Sequence, residues 1–114
     1  MATTPGRPRR RDELALVQLF LPLQDNDGVA FPASAFERVH AELRERFGGV
    51  TAFLHSPAVG AWKDGDETVR DRVVLYEVMA ERLEASWWTA YREDLERRFR
   101  QDSVVVRALT ARRL

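Results

Sequence analysis

The chain contains no cysteine among its 114 residues. Disulfide bonds, a thiol nucleophile and a thiolate-bound metal are therefore excluded. It also lacks any apolar run near the roughly 20 residues that a membrane-spanning helix requires. The apolar stretch Leu14–Leu21 follows three arginines, as in a secretory signal peptide, but Asp12, Glu13 and Gln18 interrupt the pattern and no small-residue cleavage site follows. We therefore expect a cytoplasmic protein that does not bind a membrane.

Lysine is nearly absent, and the arginines are unevenly placed. Lys63 is the single lysine, and residues 7–11 hold four arginines before any predicted element. Because the whole chain is neutral, the rest of it carries four more acidic than basic residues. This argues against a nucleic-acid groove, and we expect no nucleic-acid partner. Residues 1–12 are predicted to be a flexible basic arm, and residues 13–114 a single domain.

Six segments carry strand-like or helical apolar patterns. The predicted strands are Leu14–Leu21, Val50–His55, Val69–Met79 and Ser103–Leu109, and the predicted helices are Ser34–Phe47 and Trp87–Phe99. The order strand, helix, strand, strand, helix, strand is that of the ferredoxin-like fold. We therefore predict an α+β sandwich, with a four-stranded antiparallel sheet in the order 4-1-3-2 and two helices on one face.

Local signals place the strands within this sheet. Leu14–Leu21 is almost continuously apolar, which is typical of a central strand. Pro57 lies in or just after the second strand, and proline cannot donate to a ladder, so that strand is predicted to be an edge. Asp64–Gly65 predicts the hairpin turn that joins the second and third strands.

The ends of the helices are also marked. Ser34 and Glu37 have the spacing of a capping box, which predicts that the first helix begins there. Gly48 accepts the left-handed conformation that ends a helix. Trp87 and Trp88 are adjacent, so their side chains point about 100° apart on a helix. We expect one to lie in the core and the other to be partly exposed.

Four motifs carry a resemblance to known proteins. They are Phe47-Gly48-Gly49-Val50-Thr51, Gly60-Ala61-Trp62, Val69-Arg70-Asp71-Arg72-Val73-Val74, and Tyr91 followed by Glu96-Arg97-Arg98-Phe99-Arg100-Gln101-Asp102-Ser103-Val104. In these motifs, and over roughly residues 14–108, the chain resembles a family of small bacterial ferredoxin-like proteins of unknown function. The resemblance implies the fold and no particular activity. Some members look like exported lipoproteins, but this chain lacks the cysteine to which a lipid is attached.

Polar residues inside apolar strands are the best indication of a site. Gln18, Glu77 and Arg107 each interrupt such a strand. An unpaired carboxylate is costly to bury, so we place Gln18 and Glu77, with Arg107, on the sheet face that the helices leave open. One interpretation is a ligand pocket with apolar walls and a few polar groups. The favoured interpretation is a dimer contact, in which Glu77 pairs with Arg107 across the sheet.

Other candidates are weaker. His55 lies in or near the second strand, but the sequence does not decide on which face of the sheet its side chain lies. Trp62 precedes the hairpin. His40 and His55 do not have the spacing of a metal site, and we expect no metal and no cofactor. The loop that begins at Asp25 departs from the pattern of a calcium-binding EF-hand, so we interpret it as an Asx turn.

Two functional hypotheses remain. The first is a non-enzymatic domain that forms a homodimer through its open sheet face and could hold a small ligand. The second is a small dimeric α/β-barrel-type enzyme, oxygenase-like or isomerase-like, with a pocket between sheet and helices. A histidine or carboxylate that faces an enclosed pocket would favour the second. The catalytic residues of such an enzyme cannot be named from the sequence.

Overall fold

The computed structural model describes residues 11–55 and 72–114. Within these residues the chain forms four strands and two helices. They are β1 (Glu13–Pro22), α1 (Ala33–Phe47), β2 (Thr51–His55), β3 (Val73–Ala80), α2 (Ala85–Arg98) and β4 (Val105–Arg112). This is the ferredoxin-like α+β arrangement, so the predicted fold is confirmed.

The strands form one antiparallel sheet in the order β2-β3-β1-β4. The predicted order is therefore confirmed, with β1 central and β2 at an edge. Pro57 and the Asp64–Gly65 turn, which entered that prediction, lie outside the described residues.

The core lies between the two helices and one face of the sheet. Alternate residues of a strand point to opposite faces. In β1 the residues Val17, Leu19 and Leu21 pack in the core, together with Val39 from α1 and Leu95 from α2. The alternate residues of β1, among them Gln18, therefore lie on the face away from the helices. Neither helix of the described chain is long and apolar enough to cross a bilayer.

Helix α1 begins one residue earlier than predicted, and the capping box is wrong. The N-cap residue is Pro32, no side chain caps the helix, and Ser34 lies inside the first turn. A packing contact competes with capping by Ser34: Phe31, just before the N-cap, is buried, and its ring contacts Phe36 with centroids 6.5 Å apart. This hydrophobic staple sets the entry angle of the chain. At the other end, Gly48 has φ 81° and its N–H donates to the Arg44 carbonyl, as predicted.

The last strand begins two residues later than predicted and continues three residues further. Val104 is buried, and its N–H donates to the Glu96 carboxylate at 2.9 Å rather than to a neighbouring strand. The extension follows from the length of β1, because Arg112 still has a partner there in Glu13.

A charged cluster joins the two helices. Glu42 on α1 accepts two hydrogen bonds from Arg98 on α2, at 2.7 and 2.9 Å, and one from the Tyr91 hydroxyl at 2.8 Å. Burial by itself would raise the pKa of Glu42, but these hydrogen bonds outweigh it and hold the pKa below its ordinary value. The charged form of Glu42 therefore stabilises the fold.

We expect Glu42→Gln to lower the free energy of unfolding at pH 7 by about 1–2 kcal/mol, because Arg98 loses a two-point charged partner and keeps Asp94. A carboxyl group whose pKa is lower in the folded chain stabilises the fold at pH values above its unfolded pKa of about 4.3. This stabilisation is lost as the pH falls through the folded pKa. Urea unfolding at pH 7 and pH 3 measures both effects: the difference between the two proteins should be smaller at pH 3 than at pH 7. Glu45→Gln, on the exposed side of the same helix, is the control; an equal loss there would contradict the role of the cluster.

Candidate functional site: the open sheet face

The middle of the sheet face away from the helices carries three rows of side chains, and we call this region the open face. Strand pairing defines these rows. The first apolar row is Leu109, Leu16 and Met79; the polar row is Arg107, Gln18 and Glu77, with Thr51 beyond it on β2; the second apolar row is Val105, Phe20, Leu75 and Phe53. The polar residues therefore lie between two bands of apolar side chains.

Gln18 connects the polar row. It lies opposite Glu77 on one side and opposite Arg107 on the other. Its Nε2 donates to Glu77 Oε2 at 2.7 Å, and its Oε1 accepts from Arg107 Nε at 2.7 Å. The structure thus brings together the three residues that the sequence analysis placed on this face. The register of the strands determines which of these residues lie opposite each other, and the sequence alone does not give that register.

The two ends of the polar row differ in charge and in setting. The Arg107 guanidinium is exposed and lies over the Phe20 ring, with Cζ 5.0 Å from the centroid, which is cation–π geometry. Glu77 is half-buried. Within the described residues, Glu77 Oε1 and the terminal nitrogens of Arg107 make no further hydrogen bond. Each end can therefore bind another group.

The apolar rows expose large side chains. Phe53 is 46% exposed, Met79 60%, Val105 53% and Leu109 47%. Single exposed apolar residues are ordinary, but contiguous apolar patches beyond a few hundred Å² mark interaction sites on soluble monomers. The exposed residues here come from β2, β3 and β4, and the half-buried Leu16 and Phe20 of β1 lie between them, so together they form a continuous surface around the polar row.

A pocket of about 400 Å³ opens beside Glu77, and we call it the open-face pocket. Leu16, Glu77 and Met79 form its sheet side. Its other side consists of residues between the end of α1 and the start of β2: Phe47, Gly49, Val50 and Thr51. Apolar walls with one carboxylate suit a small ligand that has an apolar body and a hydrogen-bond donor.

A second cavity, of about 220 Å³, lies between the sheet and α2. Its described lining includes Val17, Trp88, Thr89 and Arg92, and it contains neither histidine nor carboxylate. The indole N–H of Trp88 is buried and has no hydrogen-bond partner within the described residues. The Thr89 hydroxyl donates to the Ala85 carbonyl, and Arg92 pairs with Glu96. This cavity offers no group for acid or base catalysis.

The tryptophan pair behaves as predicted. Trp88 is buried and stacks on Phe47, with ring centroids 5.1 Å apart. Trp87 is half-buried, and the Arg46 guanidinium lies over its ring at 4.4 Å. Both rings pack where the two helices meet, so this pair stabilises the core and does not line the open face.

The Asp25 loop is an Asx turn, as predicted. Asp25 Oδ1 accepts the backbone N–H groups of Asp27 and Val29, at 2.9 and 2.8 Å. The bond from Val29 is the main reason that the pKa of Asp25 lies below its ordinary value, and Arg100 adds to the effect. This carboxylate is engaged in local structure. Within residues 11–55 and 72–114 no three histidine or carboxylate side chains converge as a metal site would require.

The structure does not test two of the candidates from the sequence. Trp62 lies outside the described residues. The backbone of His55 pairs with Val73, and the structure does not describe its side chain. Conversely, sequence reasoning missed Thr51, Phe53 and the turn that walls the open-face pocket. The alternation of Thr51, Ala52 and Phe53 was the signal for β2, but assigning its face required the register with β3.

No protein-family model and no curated protein matches this chain. Among solved structures, a phage SAM lyase in complex with S-methyl-5'-thioadenosine is similar to it over 96% of this chain and 96% of the lyase chain. The TM-score is 0.51 and the sequence identity is 15%. At this identity the likeness shows the fold alone, and it agrees with the ferredoxin-like arrangement.

Proposed function

We propose that this protein forms a homodimer through its open face and holds a small ligand in the open-face pocket. The observation that carries the proposal is the continuous apolar surface around the polar row, to which Phe53, Met79, Val105 and Leu109 contribute about half-exposed side chains. Covering that surface removes apolar area from water, which is the main favourable term in protein association.

The ligand chemistry follows from the pocket. Glu77 is the only ionisable side chain in its described lining, and one carboxylate oxygen has no partner within the described residues. Thr51 adds a hydroxyl, and Leu16, Phe47 and Met79 provide apolar contacts. An amine or another donor attached to an apolar or aromatic body would match this set. A partner chain on the open face would cover the pocket and exclude water from it.

Sedimentation equilibrium tests the self-association. We expect twice the chain mass at tens of micromolar and dissociation on dilution. A mass of one chain throughout that range would overturn the proposal.

A second candidate function is that of a small enzyme with the same pocket. The lyase with the same fold, whose structure contains S-methyl-5'-thioadenosine, favours this candidate. The described lining of the cavity under α2 contains no histidine or carboxylate, so an enzyme would use Glu77 at the open face as its acid or base.

Calorimetric titration with S-methyl-5'-thioadenosine tests the second candidate. Binding that Glu77→Gln weakens at least tenfold, while Glu37→Gln on the exposed side of α1 leaves it unchanged, would support a nucleoside thioether as ligand. Absence of binding at millimolar concentration would remove this candidate and leave the dimer unaffected.

A further inference from the structure

The polar row has a direction. Arg107 on β4 is its cationic end, Glu77 on β3 is its anionic end, and Gln18 on β1 separates them. Neighbouring strands lie about 4.8 Å apart, so the two charged residues are roughly 10 Å apart across the face. Each has bonding capacity left over. The row is therefore complementary to a second row that runs the opposite way.

A second copy can lie on the open face, with its rows in register, in two ways. A twofold axis parallel to β1 places each row over the same row of the partner subunit, and the two rows then run in opposite directions. A twofold axis along the polar row keeps the direction, so Arg107 then lies over Arg107 of the partner subunit. Like charges enclosed by apolar rows repel and have lost their water, so this second arrangement is strongly disfavoured.

We propose that the occupant of the open face is a second copy related by a twofold axis that runs parallel to β1 and passes near Gln18. In this dimer Arg107 pairs with Glu77 of the partner subunit, and the pair occurs twice. A ligand in the open-face pocket would share the Glu77 carboxylate with that arginine. The inference rests on the proposed self-association and adds the partner's orientation and the residues that select it.

The same axis brings apolar residues together. Met79 lies over Leu109 of the partner subunit, and Val105 over Leu75 of the partner subunit. Packed sheets lie about 10 Å apart, a distance that two long side chains reaching toward each other can span. The two sheets are also rotated by about 30° relative to each other. The apolar rows would pack under either axis, so they supply affinity, whereas the polar row supplies the choice of geometry.

Charge reversal tests the geometry. In Glu77→Arg the two pairing positions both become cationic, and in Arg107→Glu both become anionic. We expect each variant alone to raise the dimer dissociation constant at least roughly tenfold, since each dimer would enclose two like-charged pairs. An equimolar mixture of the two variants should form a heterodimer with a dissociation constant within about threefold of the wild-type value, because every pair is then opposite in charge. Glu37→Arg, on the exposed side of α1, controls for charge reversal as such.

The outcomes separate the two proposals. A wild-type protein that stays monomeric refutes self-association. A wild-type dimer with unchanged affinity in both single variants refutes the reciprocal pairing and leaves self-association standing. A mixture that stays dissociated, with both variants folded by circular dichroism, also refutes the pairing. If a reversal unfolds the chain, Glu77→Gln and Arg107→Gln replace it: the double variant should then lose no more affinity than either single one.

Discussion

Met79→Glu is expected to turn the dimer into a monomer, with a dissociation constant raised at least roughly a hundredfold. Met79 lies in the first apolar row, opposite Leu16, and 60% of it is exposed in the single chain. In the dimer its side chain would be covered by apolar residues. A carboxylate in that position must lose its water without a partner, which costs several kcal/mol, and every 1.4 kcal/mol is a factor of ten.

Val29→Glu is the matched control. Val29 is equally exposed, at 60%, but it lies in the loop between β1 and α1 and not on the open face. Sedimentation equilibrium of both variants gives the dissociation constants, and circular dichroism checks that each folds. A Met79→Glu protein that dimerises like the wild type would show that the open face is not the interface.

Leu95→Ala is expected to lower the free energy of unfolding by about 2–5 kcal/mol, which is the range for a fully buried leucine that leaves a cavity. Leu95 is 0% exposed and lies on α2 in the core cluster against the sheet. Domains of this size are stable by about 5–15 kcal/mol, so this one change could remove much of the total.

Leu83→Ala is the control for this prediction. Leu83 is 49% exposed and precedes α2, so its truncation should change the free energy by no more than about 0.5 kcal/mol. Urea unfolding measures both variants. Equal losses at Leu83 and Leu95 would contradict the assignment of the core to the space between α2 and the sheet.

The architecture could be predicted because its signals are local or arise from simple alternation. The element order gave the fold, and the near-continuous apolar run of β1 indicated a central strand. The capping box failed because Phe31 packs against Phe36, a contact between side chains that outweighs the capping preference of Ser34. The capping preference of a single residue carries no information about such a packing contact between other side chains.

The candidate site was predicted in part. Gln18, Glu77 and Arg107 are conspicuous because each interrupts an apolar strand. Their hydrogen bonds depend on register, and a slip of one residue would move a whole strand to the other face. Phe53 and the walls of the open-face pocket could not be foreseen, since they depend on how β2 pairs with β3 and on where α1 ends.

The pairing of β1 with β4 has a consequence for the timing of folding. Gln18 and its partner Arg107 are 89 positions apart in the chain, and their strands are the first and the last of the four described strands. During synthesis β1 therefore has a free edge until β4 has left the ribosome. Pairings this distant are slow, because the chain must close a long loop before any contact forms. The surface that we propose for dimerisation is thus incomplete until β4 pairs with β1, which delays association until that late pairing has formed.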